Sequence, residues 1–206
     1  GSNEYNAPAE DGSRAGLFYI NAYQAEKKSR SPAESTAFHE TIPGHHLQMA
    51  IALERKDSHP ISRYLFNSGF AEGWGLYAER LADDMKLYSS SLDRIGMLSS
   101  QAFRASRLVV DSGIHTMGWT RQQAIDYMLA HTVLSREGAT SEVDRYIINP
   151  GQATAYMTGR LEIIRLRTEA ERRLGERFDV RAFHDQVLGS GGVPLPYLRA
   201  DVERWI

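Results

Sequence analysis

Hydrophobic and polar positions along the chain recur mainly at helical intervals. Phe70, Trp74, Tyr77, Leu81 and Met85 fall on one stripe and predict a helix over 70–87. Ile95, Leu98, Ala102, Ala105 and Val109 do the same for a longer helix over 92–112. Thr120 followed by Gln123 is a capping box that starts a helix running to about His131. A short helix over 142–148 is stopped by Asn149-Pro150-Gly151, and a long one over 152–174 ends at Gly175. Its mixed charges, Arg160, Glu162, Arg165, Arg167, Glu169, Glu171, Arg172 and Arg173, read as a solvated face. Asp179 caps a further helix to about Leu188, GSGGVPLP reads as a loop, and a terminal turn over 198–206 closes the chain. Residues 32–38 lead into a helix carrying His39 and Glu40, and 45–55 continues helically after Pro43-Gly44. The best strand candidate is GLFYINAY, residues 16–23. The fold class is mostly α, with few or no strands.

Composition narrows the choice modestly. With 206 residues, 42% apolar and 24% charged, the chain is long enough for one domain with its own core. A net charge of −2 offers no basic surplus for nucleic acid or an anionic membrane. No apolar run approaches the ~20 residues of a membrane span. The absence of cysteine excludes disulfides, thiolate metal sites and a cysteine nucleophile. Residues 1–10 read as the remnant of a cleaved tag and a flexible lead-in, which leaves 11–206 as the domain. The compartment stays open between periplasmic or secreted and cytoplasmic.

The chemistry concentrates in STAFHETIPGHHLQMA, residues 35–50. In an uninterrupted HExxH helix the two histidines are four apart, about 40° and 6 Å from each other, so that both rings converge on one zinc. Here Pro43 stands where the second histidine belongs. On a straight helix His45 would lie about 120° off the His39 face, and His46 would return to that face about 10 Å away. Pro43 and Gly44 allow a bulge or kink that absorbs two residues and brings His45 to the usual position. His39 and His45 are then metal ligands, Glu40 is the general base, and His46 faces a neighbouring side as a supporting or substrate-contacting group.

A third ligand comes from GFAEGWGLYAERL. Glu72 and Glu79 are seven apart and face the same way. Glu72, among Ala71, Gly73 and Gly75, is the favoured ligand, and Glu79 reads as a surface or supporting carboxylate. Among the other histidines, His59 precedes a proline and reads as a loop residue. His131 ends a helix, where a cation suits the dipole, and His184 reads as surface or filler. His115, beside Trp119 in DSGIHTMGWT, is a candidate for the site.

The blocks DGSRAGLFYIN, AFHETIPGHHLQ, GFAEGWGLYAERL, DSGIHTMGWT and NPGQATAYMTGRLEIIRLR occur in this order. Together they resemble a family of mostly bacterial proteins known as domain of unknown function 885. The resemblance implies a zincin-like, largely helical metallohydrolase domain with one Zn²⁺ held by His39, His45 and Glu72. It also implies a longer protein, of which this chain is the C-terminal catalytic portion and from which an N-terminal helical half is missing. A more distant likeness to helical gluzincin peptidases makes Tyr156 and His115 the candidates for steadying an oxyanion. Arg145, Tyr146 and Arg160 are candidates for holding a substrate carboxylate.

The expected function is therefore a zinc-dependent hydrolase, foremost a peptidase, in which the metal activates a water and Glu40 takes its proton. An ester or another small amide is an equally compatible substrate. The reading from another class is an inactive helical binding or scaffold domain whose metal site is structural or vestigial.

Overall fold

The computed structural model describes residues 3–55 and 67–206. His59, expected in a loop, lies outside them. The mostly α class holds. One antiparallel hairpin pairs β1 (Glu4–Asn6) with β2 (Leu17–Tyr19), Tyr5 standing opposite Phe18. The helices follow as α1 (Ala33–Glu40), α2 (His45–Glu54), α3 (Ser68–Asp84), α4 (Ser91–Met117), α5 (Arg121–His131), α6 (Arg136–Ile148), α7 (Ala155–Leu174), α8 (Val180–Gly189) and α9 (Leu195–Trp205). Within the expected lead-in, residues 4–6 form β1: their backbone pairs with β2, and the Tyr5 hydroxyl lies 2.7 Å from His46 Nδ1.

Caps explain most of the boundaries. Thr120 and Gln123 form the reciprocal capping box at the start of α5. Asp179 caps α8 by accepting from the Arg181 and Ala182 amides. Asn67 caps α3 by accepting from the Phe70 amide at 2.9 Å. Two boundaries differ from expectation. α6 begins at Arg136 because the Ser135 hydroxyl accepts from the Gly138 amide. The closing segment is a full helix with a proline in its first turn, where the missing N–H costs nothing.

Two apolar clusters hold these helices. Phe70, Trp74 and Tyr77 of α3 pack with Ile163, Leu166 and Ala170 of α7, Phe183 and Val187 of α8, and Leu198 and Val202 of α9. Val110 of α4, Ile125 and Met128 of α5, and Val143 and Tyr146 of α6 form the other. α3 and α7 run in the same direction. Gly159 meets Gly69 and Gly73 near their starts, and Arg167 reaches Tyr77 and Asp84 further along.

The stripe expected to bury α4 is corrected. Leu92, Ile95, Leu98 and Val109 are exposed, and the inward face carries Asp93, Gly96, Met97, Ser106, Arg107, Val110, Asp111 and Gly113. The reason is close approach. A Cβ on Gly96 would run into the Ser31 carbonyl, and one on Gly113 would come within 2.5 Å of the Trp119 ring. Met85, the last member of the α3 stripe, is also exposed, just beyond the end of that helix.

α3 and α7 approach closely at their glycines: an added Cβ on Gly73 would meet the Gly159 backbone at 2.5 Å, and one on Gly159 would run into the Gly69 carbonyl. Gly159→Ala forces a side chain against the Gly69 carbonyl and should destabilise the fold by about 1–3 kcal/mol or more, read as a lower urea midpoint. A second expectation concerns pH. His184 lies against Trp74 and Phe183, with its Nε2 2.8 Å from the Tyr77 hydroxyl. Burial, with Arg167 nearby, pushes its pKa down to about 4. Above pH ~6.5 neither state protonates His184. Between there and pH 4 the unfolded chain takes up a proton that the folded chain does not, so stability falls as pH falls. Urea midpoints across this window should decline in the parent chain, and His184→Gln, which retains an acceptor for Tyr77, should flatten the decline.

Candidate metal centre

α1 ends at Glu40 and α2 begins at His45, so the expected bulge within one helix is instead a break between two. The physical reason is that Pro43 donates no backbone hydrogen bond and Gly44 leaves helical dihedrals (φ −81°, ψ −131°). The Ile42–Pro43 peptide is cis. The His46 amide donates to the Thr41 carbonyl at 3.1 Å, a span of five residues that closes the turn. Gly44 is required by packing. A Cβ there would collide with the carbonyls of Phe38 and His39. Trp74 Nε1 donates to the Pro43 carbonyl at 2.9 Å and ties the turn to α3.

The turn swings His45 back to His39, with the two rings 4.7 Å apart and nearly perpendicular. Glu72 Oε2 lies 3.4 Å from His39 Nε2 and 3.5 Å from His45 Nε2. One donor atom from each of His39, His45 and Glu72 falls within 4.8 Å of the other two. Two ligand atoms at zinc bond lengths of about 2.0–2.1 Å in tetrahedral array stand roughly 3.3 Å apart, so the observed separations suit a single ion. Two imidazoles and a carboxylate are also one of the donor sets by which zinc is held in known metalloproteins.

Glu79 stands behind His39. Fully buried, it accepts from His39 Nδ1 at 2.8 Å and from the Ser35 hydroxyl at 2.6 Å. A proton held at Nδ1 leaves the Nε2 lone pair to face the ligand cluster. Burial alone would raise Glu79, yet Arg104, His39 and Ser35 outweigh it and hold the carboxyl below its usual range. Burial likewise opposes a charged His39, and the hydrogen bonds to Glu72 and Glu79 overcome it and raise its pKa. Glu72 moves the opposite way, its burial outweighed by His39 and His45. Glu40, partly buried beside this cluster, is raised chiefly by burial, against the pull of His39 and His45. Gly75 makes the seat for the ring, since a Cβ there would lie 2.7 Å from His39 Nε2.

Tyr156 is brought to the site. Its ring stacks on His39 with centroids 6.3 Å apart, and burial raises its pKa, so the phenol keeps its proton. The other candidates are placed elsewhere. His46 pairs with Tyr5 and anchors the hairpin. His115 is exposed at the end of α4 and donates from Nε2 to the Tyr146 carbonyl at 3.0 Å. Tyr146 is wholly buried, its hydroxyl donating to Glu142 at 2.7 Å. Arg145 is spent on Glu142 and Gln152, and Gln152 reaches Tyr156. Arg160 is half-buried one turn beyond Tyr156, and its Nε has no hydrogen-bond partner among the described residues. Two residues outside the expected set stand against Tyr156, with the Arg107 and Arg104 guanidiniums 4.9 and 5.8 Å from its ring centre. No motif marked them, because they lie on the polar side of α4, whose apolar stripe pointed to the opposite face.

The support role of Glu79 has a measurable consequence. Glu79→Gln should weaken zinc binding by about 10- to 100-fold with helicity retained, as read by calorimetric titration and circular dichroism.

Residues 1–202 match the family described as bacterial protein of unknown function (DUF885). No curated protein matches the chain. It is similar to a solved structure from Colwellia psychrerythraea, described as a "putative lipoprotein", at 38% identity and a TM-score of 0.95 over 100% of this chain. A "putative lipoprotein of unknown function" from Shewanella oneidensis matches 96% of the chain at 26% identity and a TM-score of 0.79. The chain spans 35% and 38% of the lengths of these two proteins. With the match running across nearly the whole sequence, the chain belongs to the DUF885 family of bacterial proteins.

Proposed function

We propose that the chain carries the metal centre of a zinc-dependent hydrolase acting on peptides or on related small amides and esters. The observation that carries this reading is the convergence of His39, His45 and Glu72, with Glu79 fixing the His39 tautomer from behind. A bound Zn²⁺ would supply Lewis-acid polarisation of a carbonyl and would acidify water at its open position. Glu40 follows His39 directly in the chain, and burial raises its pKa, which suits it to accept a proton from an attacking water and return it to the leaving group. Tyr156, kept protonated beside His39, donates a hydrogen bond to the oxygen on which charge develops. His39 and His45 hold their positions through the Gly44 turn, and Glu79 keeps the His39 ring from rotating.

One observation favours the second reading, a binding domain with no catalysis. Both nitrogens of His39 have partners within the protein, Glu79 at 2.8 Å and Glu72 at 3.4 Å. Such a pair is self-sufficient as a polar core. No helix among the described residues is long and apolar enough to cross a membrane. Since the two solved relatives are described as lipoproteins, we place the protein in the bacterial cell envelope or outside it.

The test combines metal analysis with one substitution. The parent chain should take up one zinc, and His39→Ala with His45→Ala should abolish uptake. Glu40→Gln should keep the zinc and lose hydrolysis of a peptide library by at least about 100-fold. Hydrolysis retained by Glu40→Gln rules out the assigned base, and absent zinc uptake favours the binding domain.

A further inference from the structure

Resting on the metal-centre reading above, we propose that Arg104 receives a carboxylate of the substrate, so that the preferred substrates carry a free carboxylate close to the bond that is cut. Arg104 stands on α4 at the edge of the centre. Its guanidinium lies 5.8 Å from the Tyr156 ring centre and its Nη2 is 3.7 Å from Glu79 Oε1, and its charge is felt at both His39 and Glu40. Only Nη1 is hydrogen-bonded, to the Ser100 hydroxyl and carbonyl. Nε is buried without a partner among the described residues, and the Glu79 contact of Nη2 is too long for a hydrogen bond. The side chain is 16% exposed. A guanidinium this far from water, with Nε unpartnered and Nη2 short of a hydrogen bond, is under-satisfied unless a ligand supplies an acceptor.

The surrounding charges point the same way. The Arg104 and Arg107 guanidiniums stand over the Tyr156 ring, Arg145 interacts electrostatically with Tyr156, and Arg160 with Glu79. Arg107 and Arg145 share Glu142 at 3.0 and 2.9 Å. Arg160 is half-buried with no ion pair among the described residues. Four guanidiniums in this partly buried wall thus share two carboxylates, Glu79 and Glu142. An anion completes this balance. Arg107 bonds Tyr146 and Glu142, and Arg145 bonds Glu142 and Gln152. Of the other two, Arg104 is the one whose guanidinium lies over the Tyr156 ring and whose charge reaches His39 and Glu40. Its planar fork fits a carboxylate, and the nearby Glu79 disfavours the greater charge of a phosphate dianion.

The experiment uses binding, so that no turnover is needed. The zinc-loaded chain is titrated calorimetrically with 2-benzylsuccinate, which has one carboxylate for the metal and one for a cation, and with 3-phenylpropionate, which has one only. Benzylsuccinate should bind tighter by on the order of tenfold. Arg104→Gln should erase that advantage while leaving zinc stoichiometry and phenylpropionate affinity unchanged, and Arg104→Lys should restore part of it. Equal affinities in the parent chain, or an advantage that survives Arg104→Gln, overturn the proposal. Loss of zinc from Arg104→Gln assigns Arg104 to supporting Glu79 and also overturns it. Failure of the parent chain to bind zinc defeats the metal-centre reading first, and this proposal with it.

Discussion

The close approach of backbones around α3 is the constraint on which the site depends. Gly73 lets α7 pack directly on the helix, and Gly75, two residues on and on another side, lets the His39 ring lie against it. Before and beyond them, Glu72 faces the histidines and Glu79 binds His39. Two turns of one helix thus provide a ligand, a helix contact, a seat for a ring and the group that orients that ring. A methyl group at either glycine would displace what the adjacent carboxylates have to meet. The contact with α7 brings in Tyr156 as well, since that residue lies less than one turn before Gly159.

The electrostatics follow from the same packing. A buried carboxylate such as Glu79 is tolerated only if its oxygens are filled, and Ser35 and His39 fill them while Arg104 balances the charge. The consequence is a histidine pinned between two acidic groups. His39 Nε2 faces Glu72 at 3.4 Å, so a cation bound there would have to compete with any proton on that nitrogen. The same geometry therefore serves as an ion pair without metal and as a ligand set with it. That is why metal titration, rather than inspection of the polar contacts, separates a catalytic centre from a polar core.

Much of this was legible in the sequence, for identifiable reasons. Helical spacing and capping residues located most of the helices, and the Glu72–Glu79 interval of seven placed both carboxylates toward His39. Other features escaped because they depend on tertiary contacts. The apolar stripe of α4 pointed to the wrong face because its inward side is built from small and polar residues, chosen for close approach and buried hydrogen bonds. Arg104 and Arg107 were hidden on that polar side. Tyr146 and Arg145 carry the right chemistry for an anion, yet both are consumed by Glu142, four and three residues before them on the same helix, and burial of Tyr146 fixes that choice only in the packed fold.

The displaced second histidine shows how an altered motif keeps its geometry. In one continuous helix the pitch alone fixes the distance between two ligands four residues apart. Here His39 and His45 belong to different helices, so pitch fixes nothing between them. The turn that joins them is held at two points, by the collision-tight seat of Gly44 on the end of α1 and by the Trp74 hydrogen bond to Pro43. Trp74 belongs to α3, as do Glu72, Gly75 and Glu79. Each of the three ligands is thereby positioned relative to the same helix: Glu72 directly, His39 through Gly75 and Glu79, and His45 through the turn. The rigidity that one helix would have lent to an HExxH pair is supplied by α3, and the two extra residues are accommodated because the reference frame is no longer the helix that carries the motif.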